Sequence, residues 1–105
     1  LPDCSFISEL VEKLWQKPER EWQYTGMELM QKSKCWQPES LSVVEYMITE
    51  KSWWDTVDFV AAHLAGHYFQ KFPEYKESVV EKWMLSQNSW LQRSCLLFQL
   101  SYKHQ

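Results

Sequence analysis

Residues that break helices are scarce in this chain of 105 residues, which contains only two glycines and four prolines. A β-rich fold of this size would need more of them at its many turns. Between the breakers, apolar residues recur every three or four positions, the spacing of one face of a helix. The sequence therefore predicts an all-α protein.

The apolar spacing divides the chain into six predicted helices. The first spans about residues 6–16, the second runs from Pro18 to near Lys34, the third begins at Pro38, the fourth spans about residues 53–71, the fifth begins at Pro73, and the sixth begins at Ser89. Three of the helix starts carry the pattern of a capping box, in which a serine and an acidic or amide residue three positions later bind the free N–H groups. These pairs are Ser42 with Glu45, Ser52 with Asp55, and Ser89 with Gln92.

The predicted helices form pairs, because the connections between them are short. The second helix of each pair begins near Pro18, Trp53 and Trp90, at intervals of 35 and 37 residues. Repeats of this length are typical of stacked helix pairs such as tetratricopeptide or HEAT units. We expect residues 1–105 to form one domain, a right-handed stack of three antiparallel helix pairs, with an irregular six-helix bundle as the alternative. The N-termini of the second helices would then lie in a row along one concave surface, where they favour phosphate groups.

A tryptophan and an aspartate share one face at the start of the fourth helix. Trp54 and Asp58 are four residues apart, so they lie one turn from each other. Such a ring can stack on a sugar or a base and place negative charge beside it. In the alternative interpretation, one or both of Trp53 and Trp54 belong to the core and the aspartates only cap the helix.

Arg93 lies one turn into the sixth helix. A single arginine on a helix is commonly a surface charge or a salt-bridge partner. In a functional interpretation it would bind a phosphate with two hydrogen bonds or lie beside Asp58 and keep that carboxylate ionised.

Other chemistries find less support. His63 and His67 have the spacing of two metal ligands on one helix, but no third ligand is evident nearby. Cys95 lies in an apolar stretch and is expected in the core. The odd number of cysteines, without metal-ligand spacing, indicates free thiols in a reducing cytosol, and no apolar run is long enough for a membrane span.

Charge argues against strong DNA binding. The formal net charge is −3. Residues 1–50 contain five basic and nine acidic side chains, a balance of −4, and residues 51–105 contain six basic and five acidic ones, a balance of +1. The part that contains the candidate site is therefore the less acidic part, although it lacks the basic stripe of a strong DNA-binding protein.

The string Lys-Ser-Trp-Trp-Asp-Thr-Val-Asp of residues 51–58, followed by Trp-Leu-Gln-Arg at 90–93 and Leu-Phe-Gln-Leu at 97–100, closely resembles the AlkD-like DNA alkylation-repair glycosylases. Pro-Glu-Arg-Glu at 18–21 resembles the opening of an earlier repeat in that family. The resemblance covers essentially the whole chain. It implies HEAT-like helix pairs whose concave face binds duplex DNA, and a chain that is the central part of a longer glycosylase.

The resemblance also implies a reaction and a site. The reaction would be hydrolysis of the N-glycosidic bond of N3- or N7-alkylated purines, without a metal or an organic cofactor. Asp58 would be the catalytic carboxylate, Trp54 the aromatic residue against the sugar, and Arg93, Trp53 and Lys51 the DNA contacts. The expected partner is alkylated double-stranded DNA in the cytoplasm, with no membrane, no obligate protein partner, and possible self-association through the exposed ends of the stack. The alternative is a HEAT-like scaffold that binds nucleic acid or protein without catalysis.

Overall fold

The computed structural model of the protein describes the backbone of residues 4–103 and the side chains of residues 6–100. Within this part of the chain, all regular structure is helical. The helices are α1 (Cys4–Gln16), α2 (Arg20–Lys32), α3 (Ser40–Thr49), α4 (residues 54–71), α5 (Lys76–Met84, preceded by a 3-10 turn at Pro73–Tyr75) and α6 (Ser89–Lys103). The all-α prediction and the six predicted helices are confirmed. No helix among these residues is both long and apolar enough to cross a membrane.

The six helices form three consecutive pairs. The helices of each pair are joined by short connections, at residues 17–19, 50–53 and 85–88. Helix α1 packs against α2, α3 packs against α4, and α5 packs against α6. Because short connections join helices that pack side by side, the two helices of a pair run antiparallel. Further contacts of α1 with α3 and of α3 and α4 with α6 join the pairs, which agrees with the predicted stack.

The core is rich in large aromatic side chains. The largest side chains that are fully buried include Trp15, Tyr68, Phe69, Trp83 and Phe98. The rings of Phe69 and Phe98 lie 4.7 Å apart between α4 and α6. Aromatic residues bury large areas, so a chain of this size gains a substantial core from few residues. This core holds α4 in place, and α4 carries the candidate site.

None of the three predicted capping boxes forms. Ser42 Oγ donates a hydrogen bond to the carbonyl oxygen of Glu39, and Ser52 Oγ donates to that of Ile48 at 2.5 Å. The sixth helix is capped by Asn88, whose Oδ1 accepts hydrogen bonds from the backbone N–H groups of Trp90 and Leu91. The boxes at Ser42 and Ser52 are wrong because those two hydroxyls donate to preceding carbonyl groups, and the box at Ser89 is wrong because Asn88 supplies the cap instead.

Helix α4 changes its winding along its length. It is α-helical over Trp54–Phe59, π-helical over Val60–Ala65 and α-helical again over Gly66–Lys71. The backbone N–H of Gly66 accordingly donates to the carbonyl of Ala61, five residues earlier. Short π segments within α-helices occur frequently at functional sites. Small residues lie in and beside this segment, where α4 packs closely on α6.

Two of the three cysteines are described with their side chains, and both Cys35 and Cys95 are free thiols. Cys95 is buried, and burial raises the pKa of its thiol. A neutral buried thiol is a poor nucleophile, so the prediction that Cys95 is a core residue is confirmed. The side chain of Cys4 lies outside the described residues.

Candidate functional site

The chain enters α4 through a turn that presents two tryptophans to solvent. Lys51 has a φ of 55°, and Trp53 then adopts an extended conformation as the residue before the helix. The helix begins at Trp54. The side chains of Trp53 and Trp54 are 58% and 51% exposed, so the interpretation of either as a core residue is wrong. An exposed pair of large aromatic rings points to contact with another molecule.

Asp58 and Arg93 form the ion pair at the centre of the site. Arg93 Nε donates to Asp58 Oδ1 at 2.7 Å, and Arg93 Nη2 donates to Asp58 Oδ2 at 2.9 Å. The parallel bonds are the strongest geometry available to an arginine and a carboxylate. Both side chains stay accessible, 41% exposed for Asp58 and 39% for Arg93. The structure thus brings together the two residues that the sequence places on different helices.

Trp54 and Trp90 lie together beside this ion pair. The guanidinium carbon of Arg93 is 4.7 Å from the centroid of the Trp54 ring, a cation–π contact. The Trp90 ring meets the Trp54 ring edge-on, with centroids 4.9 Å apart. These three side chains and Ser89 line an open groove of about 350 Å³, which we call the Trp54 groove. It is open to solvent, and its lining combines two aromatic rings with the cation of Arg93.

The ion pair stabilises the charged form of Arg93. The hydrogen bonds from Arg93 to Asp58 raise the pKa of the arginine further above its already high value. The guanidinium is therefore always charged and lies against the carboxylate. Only one edge of the guanidinium, Nε and Nη2, is used by Asp58, so the other nitrogen, Nη1, can donate to a bound group.

A second carboxylate of the same helical turn is held from the opposite side. Asp55 forms an ion pair with Arg20 of α2 and accepts a hydrogen bond from the Tyr24 hydroxyl at 2.5 Å. Partial burial works to raise the pKa of Asp55, but the hydrogen bond from Tyr24 and the charge of Arg20 outweigh it and lower the pKa. The sequence pattern predicts Asp55 only as part of a helix cap and indicates neither partner. The sequence does hold a signal, because Arg20 and Asp55 are separated by 35 residues, as are Asp58 and Arg93.

Lys51 and Trp53 line a groove of their own beside the first. This Trp53 groove, of about 680 Å³, is lined by Pro18, Arg20, Gln23, Tyr24, Lys51, Ser52, Trp53 and Asp55. Lys51 Nζ donates to the carbonyl oxygen of Lys17 at 2.5 Å. The structure therefore places two of the predicted DNA-contact residues next to Trp54 but on the α2 side of it.

The two histidines proposed as alternative metal ligands lie apart from these grooves. The ring of His63 packs against Phe59 with centroids 4.7 Å apart, and the ring of His67 packs edge-on against Trp36 at 4.9 Å. Burial, with a smaller contribution from Lys71, lowers the pKa of His67. Within the part of the chain that the structure describes, no three potential ligands come together at a metal-binding distance. Both side chains are exposed, and each ring contacts one aromatic neighbour.

The fold and the site define a helical-repeat protein with a carboxylate, an arginine and exposed tryptophans on one rim. The whole chain, residues 1–105, matches the family described as DNA alkylation repair enzyme. The chain belongs to this family, whose members act in the repair of DNA, and the resemblance noted in the sequence is thereby confirmed. A search of the curated proteins found no match.

Proposed function

We propose that the chain carries the active site of a DNA glycosylase that hydrolyses the N-glycosidic bond of N3- or N7-alkylated purines in duplex DNA. Membership of a family of DNA alkylation repair enzymes supports the substrate class. The observation that carries the proposal is the accessible cluster of Trp54, Asp58 and Arg93. Arg93 of α6 contacts both Asp58 and the ring of Trp54 on α4, so an exposed ring, a carboxylate and a cation lie together.

The protein does not need to protonate the leaving base. An N-alkylated purine is already cationic, so the bond from C1′ to the base nitrogen breaks with both electrons passing to the base, which leaves as a neutral molecule. Positive charge then develops on the deoxyribose. A fixed carboxylate stabilises that charge, and removing such a group costs about 100- to 1,000-fold in rate in comparable cases. Asp58 has this role in the proposal.

Water completes the reaction at C1′. Its oxygen bonds to the carbon from which the base has left, and its proton passes to Asp58 or to solvent. Trp54 presents the negative face of its ring to the cationic sugar or base, as it does to Arg93 in the free protein. The free edge of the Arg93 guanidinium donates to a backbone phosphate, which fixes the position of the strand.

The shape of the Trp54 groove agrees with a labile, cationic lesion. Enzymes that extrude a base fully bind it in a deep, closely fitting pocket. The groove here is open, and Trp53 and Lys51 continue the same rim on the α2 side. In the proposal, these two residues contact the DNA next to the lesion.

The test is release of methylated purine from alkylated duplex DNA by the parent chain, by Asp58→Asn and by Glu77→Gln. Glu77 is an exposed acidic residue of α5, so its variant controls for the loss of one negative charge. We expect Asp58→Asn to lower single-turnover release about 100- to 1,000-fold, with DNA affinity unchanged or higher, while Glu77→Gln behaves as the parent. Equal release by the parent and Asp58→Asn would contradict the proposal.

A scaffold that binds nucleic acid without catalysis gives a different result in the same experiment. The parent would then bind the alkylated duplex and release no purine above the spontaneous rate. The assay is repeated with the chain extended at both ends, which separates weak DNA binding by residues 1–105 from a lack of catalysis. Binding by the extended parent without release would favour the scaffold.

A further inference from the structure

Two carboxylates in the first turn of α4 are each bound by a neighbouring helix pair. Asp58 is bound by Arg93 of α6, and Asp55 is bound by Arg20 and Tyr24 of α2. Both arginines are 35 residues from their partners, so the two ion pairs connect equivalent steps of the helical repeat. The turn that carries the candidate site is therefore held from both sides.

We infer that Asp55 is a positioning residue, which sets the rotation of the first turn of α4 and so aims Trp54 and Asp58. The inference rests on the proposed function, because that function makes Trp54 and Asp58 the active-site residues. The contacts of Asp55 show how these residues are held in position. Asp55 lines the Trp53 groove and not the Trp54 groove. It acts through the helix and not by touching the reacting atoms.

The helical geometry shows how a contact at one residue reaches the others. At about 100° per residue, Asp58 projects about 40° from Trp54 and about 60° from Asp55 around the helix axis. Asp58 therefore lies between the other two. Any rotation that moves Asp55 away from Arg20 moves Trp54 and Asp58 by the same angle relative to Arg93.

Among the described residues, no other side chain of residues 54–58 makes a hydrogen bond or an ion pair to α2. Trp53, at the position before the helix, makes no side-chain cap, and Ser52 donates backwards to Ile48. Thr56 and Val57 are buried and hold the turn against the core. Apolar burial is non-directional, however, whereas hydrogen bonds weaken steeply with angle.

The α-helical turn that carries the candidate site is followed directly by the π-helical segment of α4. Val60–Ala65 has an alanine-rich sequence and a wider turn than the α-helical segment before it. The bonds of Asp55 to Arg20 and Tyr24 fix the rotation of a turn that continues into a segment with a different winding.

The experiment compares Asp55→Asn, Tyr24→Phe and the parent, with Glu28→Gln as the matched control. Glu28 is bound by Lys32 on the exposed side of α2, so this variant removes an acid from an ion pair that does not involve α4. Single-turnover purine release and DNA affinity are measured separately. We expect Asp55→Asn to release purine about 10- to 100-fold more slowly with affinity within threefold of the parent, because misplacement, and not lost binding, slows the reaction. Tyr24→Phe should give a smaller loss, and Glu28→Gln none.

A second readout does not depend on catalysis. Protein labelled with 5-fluorotryptophan gives one fluorine resonance per tryptophan, and Trp54→Phe identifies that of Trp54. Asp55→Asn should shift the Trp54 resonance and leave those of the buried Trp15 and Trp83 in place. If the parent released no purine, this shift would still support the positioning role while the proposed function failed.

Three results would overturn the inference. In the first, Asp55→Asn releases purine as fast as the parent and its Trp54 resonance does not shift. Another is a loss of DNA affinity as large as the loss of rate, since Asp55 would then act in binding. The third is an equal loss in Glu28→Gln, which would indicate a general effect of charge.

Discussion

Arg93 is the residue on which the candidate site depends most directly, because it contacts both Asp58 and Trp54. Its planar fork makes two parallel bonds to the carboxylate while its face lies near the indole ring. A lysine has neither the fork nor the plane, so Arg93→Lys is not a conservative change here.

We therefore expect Arg93→Lys to retain much of the electrostatic attraction to DNA but to lose about 10- to 100-fold in single-turnover purine release. Arg93→Ala should in addition weaken DNA binding across sequences and reduce the slope of log affinity against log salt by about 1. Both are measured by titrating labelled duplex at several salt concentrations. Unchanged binding by Arg93→Ala would remove this residue from the DNA interface.

Tyr68 gives the fold a defined response to alkaline pH. Its hydroxyl donates to the carbonyl oxygen of Pro38 at 2.7 Å, and burial raises its pKa to about 12. In the unfolded chain a tyrosine titrates near its ordinary value of about 10. The folded state therefore binds more protons than the unfolded state between these values, and stability falls as the pH rises from about 10 to about 12.

The expected loss from Tyr68 over this interval is about 2 kcal/mol. Tyr68→Phe is less stable at neutral pH because it lacks the hydrogen bond, but it has no proton to lose. The difference in unfolding free energy between the parent and Tyr68→Phe should thus shrink between pH 10 and pH 12 in urea denaturation. A constant difference would show that Tyr68 does not ionise on unfolding.

At the scale of single helices, the sequence predicts which helices exist and roughly where they lie, but it does not predict how their ends are capped. The apolar spacing locates all six helices because burial of one face determines where each helix lies. The capping pattern fails at Ser42, Ser52 and Ser89. A serine followed by an acid is compatible with a cap, but Asp55 and Glu45 bind partners on other helices, which no local pattern shows.

Substitutions at Asn88 and Ser89 test which of the two residues caps α6. Its side-chain oxygen accepts from two backbone N–H groups at the start of α6. Asn88→Ala should lower the free energy of unfolding by about 1 kcal/mol. Ser89→Ala, at the predicted but unformed box, should change it by less than about 0.5 kcal/mol. The reverse order in chemical denaturation would restore the capping box.

The candidate site was predictable to a similar, partial extent. The spacing of Trp54 and Asp58 places them on one face without further information. Local pattern alone could offer Arg93 as a neighbour of Asp58 only beside the alternative of a surface charge, because its contact depends on how two helix pairs pack. The π winding of α4 has no signature in the apolar spacing, and the partners of Asp55 were missed for the reason given above.

At the scale of the whole molecule, polar contacts join helix pairs that the core also joins. Glu45 of α3 accepts a hydrogen bond from the indole N–H of the buried Trp83 at 2.6 Å and forms an ion pair with Lys82 at 3.0 Å. Both partners belong to α5, so this carboxylate links the second pair to the third. A buried N–H without an acceptor is costly, whereas an exposed ion pair contributes little.

Glu45→Ala should accordingly lower the free energy of unfolding by about 1 to 3 kcal/mol. Glu45→Gln keeps an acceptor for Trp83 and should lose less, and Lys82→Ala should lose no more than about 1 kcal/mol. Thermal and urea unfolding of the three variants provide the measurement. A loss in Lys82→Ala as large as that in Glu45→Ala would assign the stability to the ion pair.

In each of the two ion pairs the partners are 35 residues apart, and this spacing bears on how such a site can be inherited. Arg20, the turn at residues 54–58, and Arg93 come from three successive helix pairs, and each pair supplies something that the others lack. Repeat proteins evolve readily by duplicating or deleting whole units. Here, deleting the first unit would leave Asp55 without Arg20, deleting the third would leave Asp58 without Arg93, and deleting the second would remove both carboxylates. Selection for this site therefore preserves the number and order of the three units as one block.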